Sequence, residues 1–222
     1  NYLDAYFSLG VAFGESGMEN EAIECYEEVI KRKPQHAQAW NNRGNSLNAL
    51  KQHEAAIESY DRALKYQPEY SEALNNRGVA LNDLKLHQHA IDSFIQAITL
   101  NPKYVQAYSN LGVALNEAGQ HQSAIESCNK AIELDPQYAD AYSNRGNLFQ
   151  DLKKYPEALS DYDKAISINS NDSEIYSNKG IGLNEIGKYI FDFDNKDMEL
   201  VDFLVKNTFY VDLFIHNTIE DY

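Results

Sequence analysis

Three histidines, His53, His87 and His121, recur at intervals of 34 residues, and evenly spaced imidazoles are the first feature that could hold a metal. The interval argues against it. Equivalent positions in neighbouring helix pairs lie about a helix diameter apart, roughly 10 Å, whereas zinc–imidazole bonds are about 2 Å long. His87 and His89 are nearer in sequence, but residues two apart on a helix do not share a face. The expected role of these histidines is packing at the start of a helix. The sequence has no glycine-rich phosphate loop, nucleophile elbow or paired-cysteine motif. No enzymatic activity, cofactor or metal site is expected.

A second set of side chains could do chemistry of another kind. Asn42, Asn76, Asn110, Asn144 and Asn178 share one 34-residue column. Asn48, Asn82, Asn116 and Asn184 share another, joined by Gln150, and Asn45 lies beside them. A primary amide donates and accepts at once, so a row of amides can hydrogen-bond the backbone of an extended peptide whatever its sequence. Asparagine is a mediocre helix former, so its recurrence asks for a reason. The competing reading is that the repeats were copied with their polar face intact, because any amphipathic helix shows an exposed polar stripe. Both readings stand on the sequence alone.

The elements that must position these side chains follow from the same period. Gly10, Gly44, Gly78, Gly112, Gly146 and Gly180 recur every 34 residues, as do Ala22, Ala56, Ala90, Ala124 and Ala158, and Pro34, Pro68, Pro102 and Pro136. A bulky column holds Tyr6, Trp40, Leu74, Tyr108, Tyr142 and Tyr176, and an aromatic one holds Tyr26, Tyr60, Phe94 and Tyr162, with Cys128 interrupting. Within one period, Trp40, Gly44, Leu47 and Leu50 follow at helical spacing, then Ala56, Ile57, Tyr60, Ala63 and Leu64. Lys51 and Gln52 between them leave room only for a tight turn. Gln67-Pro68 ends the second helix, because the residue before proline is pushed out of the α region. Each period is two antiparallel helices, and the small residues mark where the helices approach closely. The polar face opposite Trp40 and Leu47 is expected to carry Gln38, Asn41, Asn42, Asn45, Asn48 and Ala49.

In length, order and residue type these columns resemble the tetratricopeptide repeat. The resemblance implies an all-α, α-α solenoid, a right-handed superhelix in which each repeat touches only its neighbours and first helices line a concave face. It places repeats at 3–36, 37–70, 71–104, 105–138 and 139–172, a partial repeat at 173–187, and a divergent cap or tail at 188–222. The asparagine columns are similar to the amide ladder in the repeat domain of the protein O-linked N-acetylglucosamine transferase, where such amides hold substrate peptide backbones. A protein-interaction scaffold is therefore expected, with a peptide or protein partner. The alternatives are a targeting domain of a larger enzyme, such as a glycosyltransferase, and a structural unit for self-assembly.

The formal net charge of −15, from 34 acids against 19 bases, excludes the phosphate neutralisation that nucleic-acid binding requires and docking on anionic lipid. Asp4, Glu72, Asp140 and Glu174 flank the amides in one column, and Glu15, Asp83, Glu117, Asp151 and Glu185 in another. The groove is expected to be acidic and its partner basic or extended. Family members that clamp a terminal carboxylate use Lys and Arg at groove positions, which here are Asn, Ser, Val and Gln. Arg43, Arg77, Arg145 and Lys179 precede the repeat glycines, where leucine is usual, as at Leu9 and Leu111. Their stems are expected to pack while their heads reach a neighbouring carboxylate. Cys25 and Cys128 lie three repeats apart, so buried free thiols are expected, which fits a reducing, cytoplasmic setting.

The pattern fails after Gly187. Asp192 replaces the second-helix alanine, and 190–222 is both apolar and acidic. A helix near Asp197–Lys206 and a helix or strand over Phe209–Ile219 are expected there. The tail is read as a cap over the last repeat, with a groove occupant or a dimer contact as alternatives. At the other end Tyr6, Phe7, Leu9, Val11 and Phe13 leave an uncapped apolar edge, a second candidate for homodimer contact.

Overall fold

The computed structural model describes the backbone of residues 2–191 and the side chains of residues 2–186. The expected elements beyond Phe191, and the cap, groove-occupant and dimer readings of the tail, lie outside the described residues. The described chain is all helical: α1 (Tyr2–Glu15), α2 (Glu19–Arg32), α3 (Ala37–Ala49), α4 (His53–Tyr66), α5 (Ser71–Asp83), α6 (His87–Leu100), α7 (Val105–Glu117), α8 (His121–Leu134), α9 (Ala139–Asp151), α10 (Tyr155–Ile168) and α11 (Ser173–Phe191). It forms two compact units. One holds α1–α8, and the other begins at Asp135 and holds α9–α11.

Each first helix turns into its second by one device. The turn residue adopts left-handed φ at Gly17 (72°), Lys51 (61°), Lys85 (62°), Gly119 (76°) and Lys153 (58°). Around it two backbone bonds close the helix end, in the second repeat Lys51 N to Asn48 O and Gln52 N to Leu47 O, each 2.9 Å. The same pair recurs at Lys85 and Leu86, at Gly119 and Gln120, and at Lys153 and Lys154, which is the Schellman arrangement. Glycine at two of the five turns is the sequence signal for this conformation. Lysine elsewhere conceals it. Position 187 shares the column and is a glycine, yet α11 runs straight through it. No small residue follows where the second helix would pack, since Asp192 stands in the alanine column.

The core is built from small residues facing rings. Ala22, Ala56, Ala90, Ala124 and Ala158 are fully buried, and so are Ala39, Ala73, Ala107 and Ala141 on the first helices. The glycine column has a sharper reason than close helix approach in general. A Cβ on Gly44 would lie 2.5 Å from Tyr60 Cε1, and one on Gly78 would lie 2.6 Å from Phe94 Cε1. Gly10 meets Tyr26 and Gly146 meets Tyr162 in the same way, while Gly112 meets the Cys128 sulfur. The glycine and aromatic columns are therefore two halves of one contact. The bulky column is less uniform. Leu74 and Tyr142 are buried, Trp40 is half-buried with its indole N–H donating to Pro34 O at 2.7 Å, and Tyr176 is exposed.

The second helices end alike with or without proline. Asn169 N bonds Ala165 O at 2.8 Å, as Gln67 N bonds Ala63 O at 2.8 Å. After Asn169, Asn171 N donates to the Asn169 side chain, the same local turn that Lys103 N makes with Asn101 and Gln137 N with Asp135 around a proline.

Gly78→Ala is expected to destabilise the fold by about 1–3 kcal/mol, because the Phe94 ring cannot withdraw from the core. Gly14→Ala, whose Cβ would meet nothing closer than 3.9 Å, is expected to leave stability unchanged or raise it by up to about 1 kcal/mol. Urea unfolding of the two variants checks the contrast. Equal costs would contradict the glycine–ring account.

Candidate functional site

In the unit of α1–α8, the first asparagine column sits half-buried where consecutive first helices meet. Asn76 Nδ2 donates to Asn41 Oδ1 at 3.2 Å and to Asn45 Oδ1 at 3.0 Å. Asn75 Nδ2 donates to Asn76 Oδ1, and Asn41 Nδ2 to Asn42 Oδ1, each at 3.3 Å. Asn110 Nδ2 donates to Asn75 Oδ1 at 2.9 Å. The amides thus bond repeat to repeat. Asn41 corrects the expected polar face: it is fully buried and also donates to Glu72 Oε1 at 3.2 Å, and Asn75 is buried likewise. A first helix packs on two sides, against its own second helix and against the first helices of adjacent repeats. A single apolar stripe therefore understates what is covered. Buried amides cost little when their hydrogen bonds are met. Among the described residues no buried side-chain polar atom lacks a partner.

The second column has a different task. Asn48 Oδ1 pairs with His53 Nδ1 at 2.7 Å, Asn82 with His87 at 2.9 Å and Asn116 with His121 at 2.8 Å. Each pair ties the end of a first helix to the start of its second across the turn. This accounts for the histidine column. Carboxylates of the following repeat approach the same rings, Asp83 to His53 at 3.6 Å and Glu117 to His87 at 3.4 Å. Asn82 and Lys85 also donate to Glu117.

What remains open to solvent on α3, α5 and α7 is a line of Gln38, Asn45, Ala49, Glu72, Asp83, Gln106 and Glu117. Of the proposed amides Asn45 is the exposed one in this unit. Its Oδ1 accepts from the Tyr60 hydroxyl at 2.9 Å. Burial, with Glu72 adding, pushes the Tyr60 phenol well above its ordinary range, and the Tyr70 phenol up to about 12 for the same two reasons. These hydroxyls stay neutral donors at any physiological pH.

In the unit of α9–α11, Asn178 Nδ2 donates to Asn147 Oδ1 at 3.1 Å and the Tyr162 hydroxyl donates to the same oxygen at 2.8 Å. Asn144 and Asn178 are half-buried, Asn184 is exposed, and Asp140, Asp151 and Glu174 stay exposed.

The cations before the glycines reach carboxylates, as their long stems allow. Arg43 on α3 bridges two second helices, donating to Glu27 Oε1 on α2 at 2.8 Å and to Ser59 Oγ on α4 at 2.7 Å. Arg77 on α5 bridges Asp61 Oδ1 on α4 and Ser93 Oγ on α6, both at 2.7 Å. Arg145 holds both oxygens of Asp161 at 2.7 Å, and Lys179 reaches Asp163 at 2.6 Å. Cys25 and Cys128 are buried and form no disulfide, and burial raises the Cys25 thiol.

The period, the turn geometry and the paired columns match one family. Its model, the tetratricopeptide repeat, matches residues 3–36, 37–70, 71–104, 105–138 and 139–172. The chain belongs to the tetratricopeptide-repeat family. No curated protein matches it. Among solved structures, it is similar to the MamA protein, with 27% identity and a TM-score of 0.63 over 78% of this chain and 94% of that one. It shares the fold of TTC0263 from Thermus thermophilus, at 20% identity and a TM-score of 0.71 over 82% and 99% of the two chains. It also shares the fold of YrrB, described as a tetratricopeptide-repeat protein with an unusual peptide-binding site, at 22% identity and a TM-score of 0.60 over 79% and 90%.

Among the cation bridges Arg145 differs in consequence. Asp161 is buried, whereas Asp61 is 54% exposed on its side chain. Arg145→Met strands a buried carboxylate and is expected to cost about 3 kcal/mol or more. Arg77→Met is expected to cost about 1 kcal/mol or less. Urea unfolding of the two variants measures the difference, and equal costs would contradict it.

Proposed function

We propose that the chain is a protein-interaction scaffold whose first-helix face receives a peptide or protein segment carrying basic residues. In the α1–α8 unit Asn42, Asn76 and Asn110, with Asn48, Asn82 and Asn116, form the amide-lined floor and Asn45 is the exposed amide; Asn144 and Asn178 line the equivalent face of the α9–α11 unit. The observation that carries this reading is the exposed line on α3, α5 and α7. Glu72, Asp83 and Glu117 supply its charge, and Lys85, the cation beside it, is tied to Glu117. Membership of a family of interaction scaffolds supports the class of function, and the printed peptide-binding role of YrrB supports the class of ligand. Asn42, Asn76, Asn110 and Asn178 are held by other amides and Asn48, Asn82 and Asn116 by histidines, so they act as a fixed surface rather than as free arms. Preorganised polar groups bind without losing side-chain freedom on contact. The acidic line then selects among extended segments by charge.

Fluorescence anisotropy with an extended Lys/Ser peptide tests this. Binding is expected, weakening steeply as salt rises. Asp83→Asn with Glu117→Gln is expected to weaken it several-fold, at about 0.2–1 kcal/mol for each exposed charge pair. A peptide ending in Glu-Glu-Val-Asp is expected not to bind. Salt-sensitive binding of that acidic peptide in preference to the basic one would overturn the reading.

A further inference from the structure

The arginine bridges set up a comparison between successive gaps on the second-helix side of the α1–α8 unit. In the α2–α4 gap Arg43 spans Glu27 and Ser59, and in the α4–α6 gap Arg77 spans Asp61 and Ser93. The α6–α8 gap keeps the same frame without the bridge. Leu111 stands in the arginine column and Ile95 in the acid column. The Ser127 hydroxyl, in the column of Ser59 and Ser93, donates to Ser123 O at 2.9 Å. Both members of the ion pair have become apolar together.

Internal packing does not account for the exchange. Leu111 is buried, but Ile95 is 49% exposed. A β-branched side chain has been placed in water where neighbouring repeats place a carboxylate. Beside it lies an open groove of about 550 Å³, floored by Ile91, Ile95, Tyr108, Leu111 and Leu115. Leu86 and Leu100, at the two ends of α6, are also exposed. The groove is lined by one acid and one base, Glu126 and Lys130, and two further carboxylates, Asp92 and Glu133, are each bonded to a lining side chain, which leaves the surroundings net negative. Glu126 lines the groove and Asp92 follows Ile91 on α6, each accepting from a neutral glutamine, while Lys130 is paired with Glu133 at 2.9 Å. Two adjacent helices with an apolar furrow between them are the receptor geometry for an amphipathic helix.

We propose that the α6–α8 groove is a docking site for an amphipathic segment of a partner protein, apolar along one side and flanked by lysine or arginine. Apolar contact with Ile95 and Leu111 would supply affinity, and the Asp92 and Glu126 carboxylates would select the basic flank. This surface is separate from the amide-lined face.

The test is an anisotropy titration with a Leu/Lys amphipathic helical peptide and its Leu/Glu counterpart. The proteins are the parent chain and Ile95→Asp/Leu111→Arg, which installs the ion pair of the neighbouring gaps. The Leu/Lys peptide is expected to bind the parent, and the double variant to bind it about tenfold more weakly or worse, because two apolar side chains are lost from the contact. Ile95→Asp/Leu111→Arg, with its first-helix face intact, is expected to bind the extended Lys/Ser peptide as the parent does. Should the double variant fail to fold, the single variant Ile95→Ser at this exposed position is expected to weaken binding several-fold. Equal binding to parent and variant, or preference for the Leu/Glu peptide, would overturn the proposal. So would a parent dimer by light scattering that the double variant dissolves, since the occupant would then be a second copy of the chain.

Discussion

The close contact between a glycine on the first helix and a ring on the second is the constraint on which each repeat depends. A ring can lie flat against a helix backbone only where no Cβ intervenes, and the Cβ distances at Gly44 and Gly78 leave no alternative. That contact fixes how near the two helices lie. It also fixes which residues fall between repeats. The alanine columns then bring adjacent helices together, and the asparagines come within hydrogen-bonding range of one another. In the fourth repeat the partner is the Cys128 sulfur rather than a ring, so the contact is kept with a different group.

Much of this could be read from residue spacing. The 34-residue period, the helix pairs and the pairing of small with bulky columns all follow from side-chain size and helical geometry. The arginine heads reach carboxylates as their long stems suggest. Other features stayed hidden for physical reasons. The left-handed turn is visible at Gly17 and Gly119 but masked at Lys51, Lys85 and Lys153, where the chain accepts an unfavourable conformation for the sake of the turn. Asn41 reads as surface because it is polar and lies away from Trp40. It is buried because the next repeat covers that side and satisfies its amide. The Leu111–Ile95 exchange involves positions 16 residues apart, whose relation appears only once the second helices are side by side. The segment beyond Phe191 lacks the periodicity that made the rest legible.

The amide columns take a different meaning from geometry. As a sequence pattern they suggest a row of free donors and acceptors. In the fold the first column stitches repeats together and the second anchors histidines across each turn. A surface of this kind is stiff, and its polarity is already partly satisfied. Selectivity then passes to what stays exposed, which is mainly carboxylate on the first-helix side and apolar on one stretch of the second-helix side. The two surfaces carry different chemistry.

The central claim is that glycine and its facing side chain form one coupled contact, and a double-mutant cycle on Gly112 and Cys128 tests it most directly. A Cβ on Gly112 would lie 2.5 Å from the sulfur but 3.3 Å from Ala124 O and 3.6 Å from Cys128 N, so removing the sulfur should relieve the worst of the overlap. Urea unfolding is predicted to show that Gly112→Ala costs at least about 1 kcal/mol less in the Cys128→Ala background than in the parent, a coupling within the range found for residues in contact. Additive costs, within about 0.3–0.5 kcal/mol, would contradict the account.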